Sequence, residues 1–169
     1  MARRLKKPYR NILKTAAVIA LIVILKWLWV TISTMGHGTF EGEKTEILRR
    51  RNYLANKLLV SPEEVINEMP EAIGSQFQGE WAMYSCSMMS AALANISMLY
   101  PDEKEKSVGQ IDSLIKIVMS PELRQFDAAR WDEDPLESLD SDQSHMSYVS
   151  ILAWMISSYK TAGGNDKYD

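Results

Sequence analysis

The chain has 169 residues, of which 46% are hydrophobic and 24% charged, with a formal net charge of −3. That length holds one ordinary domain plus a short extra segment, and the acidic balance excludes a basic nucleic-acid-binding surface. A single cysteine, Cys86, excludes an internal disulfide, and only two histidines, His37 and His145, argue against a histidine-rich metal site; no metal or cofactor motif is present, so neither is expected.

Residues 1–14 are basic, with Arg3, Arg4, Lys6, Lys7, Arg10 and Lys14 and no acid. Residues 15–35, TAAVIALIVILKWLWVTISTM, form a hydrophobic run broken by Lys26. At about 1.5 Å per residue, a helix of that length approaches the ~30 Å of a bilayer's hydrocarbon core. A cleaved signal peptide needs a small-x-small site, and Lys26-Trp27-Leu28-Trp29 is too bulky to supply one. The expectation is an uncleaved signal anchor whose partner is the lipid bilayer through residues 15–35. Trp27 and Trp29 would sit at one interface, with Lys26 reaching past them to water. The basic flank then places the N-terminus in the cytoplasm of a single-pass inner-membrane protein, and the chain beyond residue 35 in the periplasm or another extracytoplasmic space.

Residues 36–43 read as a linker and 44–169 as an α-helical domain. Lys44 to Leu59 carries leucines and Ile47 among charges. Ser61-Pro62-Glu63-Glu64 is a helix start, with Ser as N-cap, Pro at N1 and Glu at N3. Glu71 to Gln78 reads as a loop. Gly79 to Tyr100 is apolar or small nearly all round, the pattern of a helix central to a helical domain. In Lys106 to Met119, Val108, Ile111, Leu114, Ile115 and Val118 form one stripe. Ser120-Pro121-Glu122 restarts the chain as Ser61-Pro62-Glu63 does. Asp127 to Asp142 reads as an acidic, turn-rich loop. The last helix, 143–159, has a seam of His145, Tyr148, Val149, Leu152, Met155, Ile156 and Tyr159, and Thr161-Ala162-Gly163-Gly164 ends it. No segment reads as a strand, so the fold class is all-α: one transmembrane helix followed by antiparallel helical hairpins.

Loops at one end of such hairpins gather into a common face, and the candidate site lies there. Glu80, Asp127 and His145 are the candidate catalytic residues, because a carboxylate pair or a histidine can move protons. Trp81, Tyr84, Arg130, Trp131 and Tyr148 are the candidate substrate-binding residues; an indole face suits the stacking of a sugar ring. Asp140 and Asp142 near the start of the last helix read as acids favoured by its dipole. Cys86, in an apolar helix, reads as a buried, inert thiol. Asn95-Ile96-Ser97 is a glycosylation sequon in a helix expected to be buried.

GEWAMYSCSMMSAALANIS, ESLDSDQSHMSYVSILAWMISSYK and the closing AGGNDKYD resemble segments of bacterial (α/α)-toroid proteins. These helical-hairpin barrels occur in carbohydrate-active enzymes and in the linalool dehydratase-isomerase group. The SHxSY helix with its Gly-Asn/Asp-x-Tyr/Phe-Asp ending is the most specific part, and the resemblance covers roughly residues 76–169. It implies a partial toroid, since a full one needs about a dozen helices, and a carbohydrate-like ligand; no catalytic motif carries over residue by residue. Two functions are therefore expected in competition. One is a membrane-anchored domain related to toroid enzymes; the other is a non-catalytic anchored module that binds a protein partner.

Overall fold

The computed structural model describes residues 7–34, 40–71, 74–138 and 145–168, and every regular element among them is helical. The chain divides into two compact units, residues 1–46 and 47–169. His37, Asp140 and Asp142 lie outside the described residues.

The first unit holds α1, Lys7–Thr34, and the start of α2, Phe40–Leu58. Among the described residues no helix is long and apolar enough to cross a membrane, which corrects the transmembrane part of the expected fold. The uninterrupted apolar stretch of α1 runs only from Ala16 to Leu25 before Lys26. At ~1.5 Å per residue it extends about 15 Å, half of a hydrocarbon core. Its side chains from Val18 to Trp29, the lysine among them, are exposed.

In the second unit, local signals place the helix ends. Before α3, Pro62–Asn67, the Ser61 hydroxyl accepts from the Glu64 amide, and the Glu64 carboxylate accepts from the Ser61 amide. This capping box satisfies two amide donors that would otherwise lack partners. The loop expected to reach Gln78 is shorter, because the break lies at Gly74, whose φ of 84° suits glycine. The Gln78 amide already bonds the Gly74 carbonyl, so α4 runs from Ser75 to Leu99. A 3-10 turn, Pro101–Glu103, leads into α5, Lys104–Val118. Arg51 of α2, itself buried, bonds Glu103 at 2.5 Å and ties α2 to this turn.

Ser120 caps α6, Pro121–Trp131, by accepting from the Leu123 amide. The acidic loop expected from Asp127 is thus helical as far as Trp131, and Asp132 ends the helix in the left-handed region at φ 56°. The final helix, α7, is Met146–Thr161. Gly163, at φ 92°, closes it: its amide bonds the Lys160 carbonyl, and the Gly164 amide bonds that of Tyr159. These two bonds make a Schellman motif.

Helix α4 is central, with α5, α6 and α7 packed around it. Met83, Cys86 and Leu93 of α4 meet Ile111 and Leu114 of α5 and Met155 of α7 in one apolar core. Full burial of each such side chain stabilises by about 1.5–3 kcal/mol. The buried hydroxyls of Ser87, Ser90 and Ser97 donate to carbonyls of their own helix. They therefore need no partner from a neighbour, and their small size lets other helices approach. Burial pushes the Cys86 thiol up to about 12, which leaves it protonated and unreactive. One expectation for α4 fails, since it is not buried all round: Trp81, Met88, Met98 and Leu99 face outward.

Candidate functional site

The polar cluster at the α6–α7 junction forms because α6 extends to Trp131 and so carries Asp127 inward. Asp127 and His145 are both buried, and the Asp127 Oδ2 lies 2.5 Å from the His145 Nδ1. On the other edge of the imidazole, Nε2 faces the Ser138 Oγ at 3.5 Å and the Glu133 Oε2 at 4.0 Å. The Ser138 hydroxyl donates to the Asp134 carbonyl. Trp131 meets the imidazole edge-on, with ring centroids 6.4 Å apart.

A turn holds this arrangement. The Asp134 Oδ1 accepts from the Leu136 and Glu137 amides, while its Oδ2 lies 2.8 Å from the Arg124 Nε on α6. Tyr148, in the first turn of α7, is fully buried and donates to the Val118 carbonyl at 2.8 Å. Burial pushes its phenol well above the usual tyrosine range. Tyr148 is therefore packed between helices and has no surface to offer a substrate.

Glu80 does not join the Asp127–His145 pair. Its carboxylate lies 3.5 Å from the Arg130 Nη2. Asp127 and Arg130, both on α6, thus each reach a residue outside that helix, His145 and Glu80 respectively. Arg130 lines a cleft of about 540 Å³ with Ile66, Gly79, Leu123, Phe126 and Ala129, and neither Asp127 nor His145 borders it. Trp81 is about half exposed and packs 6.3 Å from Tyr84, centroid to centroid. No group of three or more potential metal ligands occurs among the described residues.

Ser138 and Glu133 are not among the residues that the sequence singles out. Their only signal is position in the turn DEDPLES, and nothing in that string says which side chain folds back onto His145. No known family, characterised protein or solved structure matches this chain. The toroid resemblance therefore rests on its quoted segments alone.

Proposed function

We propose that the second unit is a non-catalytic docking module that receives another helix along the outer face of α4. One observation carries this reading. Phe77, Trp81, Tyr84, Met88, Ala91, Asn95 and Met98 alternate in steps of four and three, and all of them lie on the side of α4 that α5, α6 and α7 leave at least partly open. A seam with a 3.5-residue period is the signature of knobs-into-holes packing against a further helix. In a straight α-helix such a seam drifts by about 20° per heptad, and accordingly Leu99 is exposed beside Met98 at its end.

The polar groups support the same reading. Asp127, His145 and Ser138 join the end of α6 to the start of α7 and thereby hold two of the helices that frame α4. To test the proposal, a photo-crosslinking residue would replace Met88 in the full chain expressed in its native host. A covalent protein adduct lost on Trp81→Glu supports docking, and the absence of any adduct refutes it.

A second reading draws on the order of contacts Asp127–His145–Ser138. Carboxylate, imidazole and hydroxyl in series can activate a serine, the proton passing from Ser138 Oγ to His145 Nε2 once the hydroxyl turns away from the Asp134 carbonyl. A serine-reactive phosphonate would then label the wild type and fail to label Ser138→Ala. Under the docking reading, neither protein is labelled.

A further inference from the structure

Resting on that docking reading, we infer that the helix received by α4 is α4 of a second copy, parallel and in register. In the heptad, Trp81, Met88 and Asn95 fall at a positions, and Phe77 and Tyr84 at d positions. An exposed asparagine at an a position selects among partners: a parallel two-fold sets Asn95 against Asn95, where the two amides can bond each other. An antiparallel two-fold near Met88 would instead set that amide against the bulky indole of Trp81 and lose the mutual amide pairing.

Charge and area agree with self-pairing. From Trp81 to Tyr100 there is no charged residue, so two copies meet there without like-charge repulsion, although each chain is net acidic. Glu80, at the start of the seam, is already opposed by Arg130. Trp81, Met88 and Met98 are each more than half exposed. Together with Phe77 and Leu99, they would bury on the order of 1,000 Å² over both copies, near the lower bound for a specific interface. An interface of that size belongs to the small, transient class.

The test uses cysteine variants of the full chain, with Cys86 retained because it is buried. Under mild oxidation, Asn95→Cys alone and Trp81→Cys alone should each form a disulfide-linked dimer. A mixture of the two should give little mixed disulfide. Adding Met88→Glu to Asn95→Cys should reduce the linked dimer at least tenfold, with helical circular dichroism unchanged. Dominance of the mixed disulfide would overturn the parallel register. If Asn95→Cys stays monomeric while the crosslinker at 88 captures a different protein, and loses it on Trp81→Glu, the second copy is overturned and docking survives. If Asn95→Cys stays monomeric and the crosslinker captures nothing, both fail.

Discussion

Replacing Gly79 with alanine tests how closely α4 and α6 approach. A methyl group at Gly79 would lie 2.7 Å from the Phe126 Cβ and 2.9 Å from its Cδ1. The Cβ of Phe126 moves only with the α6 backbone, so a rotamer change cannot relieve the clash. Overpacking of this kind costs about 1–3 kcal/mol. Against it stands the gain from removing a helix-interior glycine, about 0.5–1 kcal/mol. The clash wins, and Gly79→Ala should be less stable by roughly 1–2 kcal/mol. Gly109, interior to α5, is the internal control, because a methyl group there meets nothing within 4 Å. Gly109→Ala should therefore be more stable by about 0.5–1 kcal/mol. Urea melts followed by circular dichroism at 222 nm read both effects. Stabilisation by both substitutions to the same extent would refute the tight crossing.

The polar contacts carry three further expected outcomes. Asp127→Ala leaves a buried imidazole nitrogen without its partner and should cost about 1–3 kcal/mol, with Asp127→Asn losing less; equal melting of all three proteins would show that the pair holds nothing together. At Asp112, partial burial pushes the carboxyl pKa up, but hydrogen bonds from Lys116, Lys167 and Tyr168 outweigh it and hold the group well below the usual carboxylate range. A pKa lowered by folding contributes stability that is present above the unfolded value of about 4 and is lost as pH falls below it. Proteolysis of the 162–168 segment should therefore accelerate below about pH 4 in the wild type and be fast already at pH 7 in Asp112→Asn; a wild type with no such acceleration contradicts the clamp. Ser61→Ala removes one side of the α3 capping box and should lower stability by about 1 kcal/mol, read as a shift in urea midpoint at unchanged slope; an unmoved midpoint would show that the cap contributes nothing.

Much of this architecture is legible residue by residue. Ser61-Pro62 and Ser120-Pro121 start helices where they stand, and Gly163 ends one, because caps act within a few residues through hydrogen bonds to the neighbouring backbone. Of the stripe Val108, Ile111, Leu114, Ile115 and Val118, the last four are buried and Val108 is partly buried against the core. The hydrophobic run at residues 15–35 is helical up to Thr34, yet no described helix qualifies as a span. Hydrophobic character alone does not supply an unbroken apolar length, and Lys26 interrupts it. The loop boundaries at Gln78 and Asp127 failed for a related reason. Gly79 is a point of close packing against Phe126 rather than a breaker, and Asp127 is an acid carried inward on α6.

The sequence by itself determined an all-helical chain, where most of its helices begin and end, and the centrality of α4. Tertiary structure alone decided which side of α4 stays open, because a helix apolar nearly all round carries four-and-three seams on more than one face, and spacing does not say which of them its neighbours cover. It likewise decided that Asp127 meets His145 across 18 residues, that Glu80 is drawn to Arg130, and that Ser138 faces the imidazole. Those pairings depend on how one short turn folds back between α6 and α7, and side-chain spacing along a helix carries no information about a turn beyond its end.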